Sequence, residues 1–433
     1  ASLVRRDVDD FLDDMASASS LVRVVRIQPQ ENEDAEFAAQ RAGVTPVEFN
    51  VRGQDELLLK RGYLGLAMTY LDRQEAIPFI QSPEALEYQA ASMINRMTQT
   101  RLKTVAFLGG HGEKTAATNL QGLAASLRGQ YEVRDVEPAA DGSVDLSGVD
   151  VLVVAGPTAE VPEVARQALV RYLDAGGNVL ALIDRVTVGQ YEDGLVAQTN
   201  QSNFGSFVES YGVTVLNDLV YDARFNQTAS LGGGPFPISV SYPYWPRATA
   251  VESRVTGDVE SVVLAWVSTL SVRPVEGVEA IPLLETSPFA GVETPYFDVT
   301  PGRPGTAPVS AAEPRLLAVA LTGPATAGGG GESTYRMVVI GDSDWLSDGG
   351  TSIAPENIVP ALNTIDWLAQ EDSLAAIRSK LGSSRRLLFE SNAHRNLIQY
   401  GSLIGVPLLL AWAGLARYAR RRAVTRRVYV RGR

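Results

Sequence analysis

The 433-residue chain contains no cysteine. That absence removes disulfides, thiolate metal sites, iron–sulfur clusters and cysteine nucleophiles from its chemistry. Histidine is almost absent as well: only His111 and His394 occur, so a multi-histidine zinc site is excluded. The sequence has no GxxxxGK[ST] loop, no GxGxxG after a strand and no GxSxG elbow, which leaves a nucleotide site and a serine hydrolase without their signatures. Base is scarcer than acid, with 38 Lys and Arg against 50 Asp and Glu. An acidic surface of this kind repels nucleic acid and anionic lipid headgroups.

Long hydrophobic runs are also lacking, except at the C-terminal end. From Leu397 the chain reads LIQYGSLIGVPLLLAWAGL, with no charged residue until Arg417. At about 1.5 Å per helical residue this stretch reaches roughly 30 Å, the thickness of a bilayer core, so a transmembrane helix is expected over 397–416. Tyr400 and Trp412 stand near its ends as interfacial aromatics do, and Pro407 kinks such a helix without forbidding it. The tail, 417–433, holds eight arginines. Setting them aside takes the formal net charge from −12 to about −20 for the rest of the chain, and the positive-inside tendency places the tail in the cytoplasm and the acidic body outside it. Gly401, Ser402, Gly405 and Gly414 are small enough to let another membrane helix pack closely. The chain starts at Ala1 with neither Met nor an apolar stretch, and a further span or signal segment is expected before it.

The body is long enough for two or three domains, and 45% hydrophobic residues argue against disorder. Residues 1–82 read as a small α+β domain. It comprises an amphipathic helix at DVDDFLDDMASAS, an alternating strand at Leu21 to Ile27, a helix from Glu33 closed by Gly43, a strand at VEFNV, and a hairpin in GYLGLAMTYLDRQEAIPFI turning at Asp72 to Gln74. Thioredoxin-like folds share that order, but without CxxC there is no redox work. Residues 83–375 read as a doubly wound α/β domain after a linking helix at 83–100. Its strands are expected at Thr104 to Leu108, Val149 to Ala155, Asn178 to Ile183 and Tyr335 to Ile340, with helices at 115–127, 161–174, 203–211 and 355–368. Continuous Val, Leu and Ile runs between helices imply a parallel sheet covered on both faces. From about 225 to 331 a Gly, Pro, Ser and Thr-rich composition suggests a β-rich insert with a flexible arm. Residues 376–396 form a charged approach to the membrane.

The most chemical-looking stretch is LGGHGEKT, Leu108 to Thr115, where the first strand of the doubly wound domain meets its helix. Ligands of open α/β sheets bind beyond the carboxyl ends of the strands. His111, Glu113 and Lys114 are therefore well placed, and Asp184, ending ALID, and Asp342 and Asp344, in IGDSDW, fall on the same edge. Together they assemble a pocket of one imidazole, one ammonium and several carboxylates, able in principle to supply a general base or hold a divalent cation. The competing reading is structural. Gly109, Gly110 and Gly112 make a tight turn, and the Asp, Ser and Thr side chains accept from helix N–H groups. Tyr242, Tyr244 and Trp245 are candidates for stacking on sugar rings or a partner, or for packing a loop.

LGGHGEKT, followed by RMVVIGDSDWLS and NTIDWLAQEDSLAAIR and framed by the hairpin and the arginine-rich end, resembles the GldG-like family, auxiliary subunits of uncharacterised ABC transport systems that include the gliding-motility GldG proteins. The resemblance runs from about Val8 to Arg422. It implies an extracytoplasmic domain pair at a bacterial inner membrane, beside an exporter-type ABC permease and its cytoplasmic ATPase; no cofactor is expected. It also implies a flavodoxin-like or class I amidotransferase-like fold, similar to one in intraflagellar-transport proteins; the amidotransferase nucleophile is a cysteine, which is missing here. The expected activity is therefore non-catalytic, with a glycan-binding protein or hydrolase using the His111 edge as the alternative.

Overall fold

The computed structural model describes residues 2–52, 57–80, 86–98, 101–191, 194–231, 238–294, 298–302, 309–326, 333–370 and Trp412, Leu415 and Arg417. The chain divides into two compact units, Ala1–Ser383 and Ser384–Arg433. The first opens with helix α1 (Ser2–Ala18), whose Val8, Phe11 and Leu12 share one face and pack with Ile80 and Leu86. Residues 21–27 then run outside any strand, with Leu21 and Val25 exposed at 94% and 67%. Arg26 turns back onto α1, bonding Asp9 at 3.1 Å and Asp13 at 2.7 Å. The strand expected here does not form, because alternation supplies a strand's pattern but not the neighbour that must pair with it.

Helix α2 (Glu33–Arg41) is capped by Asn32, which accepts from the Ala35 N–H at 2.8 Å. Strands β1 (Val47–Arg52) and β2 (Leu57–Gly62) form one hairpin, and β3 (Leu66–Tyr70) and β4 (Arg73–Ile77) another. Tyr70 pairs with Arg73, so the second hairpin turns at Leu71 and Asp72, one residue before the expected start, with Leu71 at φ 54°. Two separate two-stranded sheets therefore stand where a thioredoxin-like β-α-β order was expected. Helix α3 (Leu86–Thr98) then leads into the central sheet.

That sheet is built on β5 (Thr104–Leu108), β6 (Glu132–Val136), β7 (Val151–Ala155) and β8 (Asn178–Leu182), with helices α4 (Gln121–Leu127) and α5 (Glu163–Asp174) between them. Every residue of β5, β7 and β8 is buried. Alternate positions serve opposite faces: Val105 and Phe107 pack with Leu120, Leu123 and Ile365, while Ala106 and Leu108 pack with Leu169, Leu173 and Phe204. The doubly wound half is thus as the continuous apolar runs imply.

The chain continues through β9 (Val186–Tyr191), β10 (Gly194–Thr199), α6 (Phe204–Glu209), β11 (Val213–Val215), β12 (Leu219–Asp222), β13 (Asn226–Leu231), β14 (Ile238–Ala250), β15 (Ser261–Val263) and β16 (Leu270–Val272). It ends through β17 (Glu279–Glu285), β18 (Ala290–Glu293), β19 (Leu316–Pro324), β20 (Thr334–Ile340), α7 (Asp348–Ile353) and α8 (Ile358–Leu368). The strand order is β13-β14-β17-β19-β20-β8-β7-β5-β6, with β15 beside β14. From β20 to β6 the pairs are parallel; from β13 to β20 they are antiparallel. Within the β-rich region β13, β14, β15, β17 and β19 continue the same sheet antiparallel, joined where β19 pairs with β20, while β16 and β18 pair with β11 and β12 in two-stranded sheets of their own. Residues 327–332, which carry the glycine run, lie outside the described residues.

Among the described residues no helix is long and apolar enough to cross a membrane. The expected span at 397–416, including Tyr400, Gly401, Ser402, Gly405, Pro407 and Gly414, lies outside the described residues, as do 376–396 and most of the tail. Trp412, Leu415 and Arg417 are described, and all three are helical.

Candidate functional site

The chain runs from β5 to β6 on one side and then crosses to β7 on the other. The carboxyl ends of β5 and β7 thus flank a topological switch point, where open α/β sheets take their ligands. LGGHGEKT leaves β5 at this place. Gly110 and Gly112 hold φ of 97° and 82°, a left-handed conformation that side chains resist. At Gly112 space is also closed, since an added Cβ would lie 2.1 Å from Thr158 Oγ1. Gly109 N donates to Val136 O at 2.9 Å.

The turn buries a pair of its own residues. Glu113 accepts the His111 backbone N–H on Oε2 at 2.6 Å and faces His111 Nδ1 with Oε1 at 3.0 Å. The two side chains are 7% and 0% exposed. A carboxylate accepts, so Nδ1 is the donor in this pair. The His111 carbonyl accepts from Thr158 and Ala159 N–H groups at 3.1 and 2.9 Å, tying the turn to the segment after β7.

Lys114 goes elsewhere. Its ammonium reaches Asp184 Oδ2 and Asp344 Oδ1, each at 3.2 Å, and donates to Ser343 Oγ at 2.6 Å. Ser343 in turn donates to Asp184, from N to Oδ1 at 2.6 Å and from Oγ to Oδ2 at 2.5 Å. Asp342 is occupied by backbone: Oδ2 accepts from Ala265 at 2.6 Å, and Oδ1 from Asp344 at 2.7 Å and Trp345 at 3.3 Å. Oxygens of Asp184, Asp342 and Asp344 lie within 4.8 Å of one another.

Burial by itself depresses the Lys114 ammonium, but the charges of Asp184 and Asp344 overturn that and hold it above the ordinary lysine range. Burial, with Asp344 and Asp184 behind it, pushes Asp342 well above the carboxylate range. Asp344 is raised by burial and by Asp184, against the pull of Lys114. The Ser343–Lys114 contact has the distance of a serine–lysine dyad but not its chemistry: the amine is protonated and has no lone pair to accept with, and Ser343 is fully buried.

All the expected site residues therefore reach the same edge, but as two groups. Lys114 joins Asp184 and Asp344, with Asp342 beside them, whereas His111 bonds only Glu113 among the described side chains. Ser343 and Gly156 belong to the site and were not singled out from the sequence. Ser343 sits between the two aspartates of IGDSDW, so its place was readable. Gly156 follows the β7 run and shows itself only in space, because a Cβ there would lie 2.3 Å from Ser343 Oγ, 2.4 Å from Asp184 Oδ2 and 3.2 Å from Lys114 Nζ.

Two other places are chemically quieter. Tyr242 and Tyr244 are buried, and Tyr242 meets Trp245 edge to face at 4.8 Å while its hydroxyl accepts from Trp266 Nε1 at 2.9 Å. These rings pack a core and do not present a stacking platform. A cleft of about 370 Å³ opens at the opposite, amino-terminal edge of the sheet, beside Lys103, Asp150, Tyr172 and Asn178. Its polar groups serve the body: Lys103 donates to Ala369 O, and Asp150 accepts from Arg101 and the Thr104 N–H.

Comparison with known proteins gives one family match. A family model described as "ABC-type uncharacterized transport system" matches residues 102–363, from just before β5 into α8. Among solved structures the chain is similar to one described as the mmIFT52 N-terminal domain, with 18% identity and a TM-score of 0.41, over 61% of this chain and 97% of that one. It is also similar to a ThuA-like protein from Parabacteroides merdae ATCC 43184, with 12% identity and a TM-score of 0.33, over 63% and 91% of the two chains. No curated protein matches.

Proposed function

The chain belongs to the ABC-type uncharacterized transport system family of auxiliary components, and from that premise we propose that it serves as a non-catalytic, membrane-anchored subunit whose body stands outside the cytoplasm. The observation that carries this reading is the family match across most of the doubly wound domain, residues 102–363. Three features support it. The body is acidic, residues 397–416 are apolar over the length of a bilayer, and the arginines behind them mark a cytoplasmic tail. A chain without a Walker motif draws its energy from elsewhere, so the partners are an ABC permease of the exporter type and its ATPase. The body then receives, gates or shapes the path of a substrate.

Affinity purification of the tagged chain from membranes in mild detergent tests this. A multi-span permease and an ATPase are expected to co-purify, and replacing Gly401 and Gly405 by Leu is expected to weaken their recovery. Recovery of the chain alone overturns the transporter reading.

The His111–Glu113 pair favours a second reading, a glycan-binding protein or hydrolase using this edge, because a carboxylate that holds one imidazole nitrogen orients the ring and leaves its other nitrogen for a ligand. Calorimetric titration with divalent cations and cell-wall sugars addresses it. No heat, together with wild-type behaviour of His111→Ala, removes it.

A further inference from the structure

Lys114 carries a role that the transport reading does not use. An ammonium has three protons, and here three acceptors take them: Asp184 and Asp344 at 3.2 Å each and Ser343 Oγ at 2.6 Å. Nothing remains for a ligand. The acceptors follow β8 and β20, while Lys114 itself follows β5, so one side chain joins the ends of three strands. Three carboxylates with oxygens within 4.8 Å of one another have the spacing of ligands around a hard cation. Like charges this close need a positive partner, and the chain supplies its own. The lysine is 16% exposed and Asp184 6%, and Gly156 lets the backbone approach where any Cβ would strike all three polar groups.

We propose that Lys114 is a built-in counter-ion. It fills the place a divalent cation would take beside Asp184, Asp342 and Asp344, locks the carboxyl ends of β5, β8 and β20 together, and shuts metal ions out of this edge.

The test is a double-mutant cycle on the full chain, read as thermal midpoints with and without millimolar calcium or magnesium. Lys114→Met is expected to lower the midpoint by roughly 5 °C, since removing one partner of a buried pair strands the other and a chain this long shifts by few degrees for a given loss. The loss is expected to shrink in the Asp344→Asn background, where less negative charge is left uncompensated. Divalent cations are expected to leave the wild type unchanged and to restore part of the Lys114→Met loss. A wild-type midpoint that rises with either cation overturns the proposal, because the site then admits the ion. So does a Lys114→Met midpoint equal to wild type, or a loss that is the same in both backgrounds. Should Lys114→Met not fold, calorimetric titration of the wild type decides: binding heat for either ion refutes the lock, and its absence together with the folding failure supports it.

Discussion

Gly156 offers the most direct measure of how tightly the carboxyl edge of the sheet is built. Replacing it by alanine brings two costs that the structure separates. Its φ of 61° lies in the left-handed region, where an L-residue is disfavoured by about 1–2 kcal/mol. The new Cβ would also sit 2.3 Å from Ser343 Oγ and 2.4 Å from Asp184 Oδ2, and overpacking of this kind adds roughly 1–3 kcal/mol. Neither oxygen can yield alone, because both are bonded to Lys114. Gly142 is the matched control: its φ is 79° and nothing lies within 4 Å of an added Cβ, so only the backbone cost applies there. Gly156→Ala is expected to cost about 2–5 kcal/mol and Gly142→Ala about 1–2 kcal/mol. Urea unfolding reads both as shifts in midpoint at unchanged slope. Equal losses for the two variants would refute the packing described around Lys114.

Two further outcomes follow from the same edge. Asp342 and Asp344 have folded-state pKa values raised above the ordinary carboxylate, so their favourable contribution is full below the unfolded pKa and is lost as pH rises through the folded value. Urea midpoints measured from about pH 7 down to about pH 4 are therefore expected to move in favour of wild type over Asp344→Asn; a constant gap, or one moving the other way, contradicts the buried-charge argument. Glu113→Ala leaves the His111 N–H and Nδ1–H without their acceptor in a buried turn and is expected to cost about 2–4 kcal/mol. Glu113→Gln, which keeps one acceptor oxygen, is expected to cost less, and the reverse order in a urea titration rules out the acceptor role.

The parallel half of the sheet was legible because strands buried on both faces write themselves as unbroken apolar runs. TVAFL, VLVVA and NVLAL could hardly be anything else. β6 escaped because it is an edge strand, and EVRDV buries little of itself. Residues 21–27 misled in the opposite sense: LVRVVRI alternates well, yet a period says nothing about whether a neighbour exists to pair with it. The antiparallel strands were sensed as a compositional shift, but their register against β20 depends on pairings no local pattern encodes. At the site, strand ends placed the chemical residues on one edge. How they divide was hidden, since Lys114 meets Ser343 across 229 positions and Asp184 across 70. Only distances in space could assign the lysine to the aspartates and the histidine to its own glutamate.

The position of β20 has a consequence for the order in which the molecule comes together. It lies between β19 and β8, pairing antiparallel with one and parallel with the other, and Ser343 reaches Asp184 across 159 residues. Closing so long a loop is entropically slow, whereas β5, β7 and β8 can meet early through shorter crossovers. Until β20 arrives, β8 is an open edge of buried-type residues, a template for pairing with other chains. A nascent or truncated chain that stops short of residue 334 is therefore left sticky rather than merely incomplete.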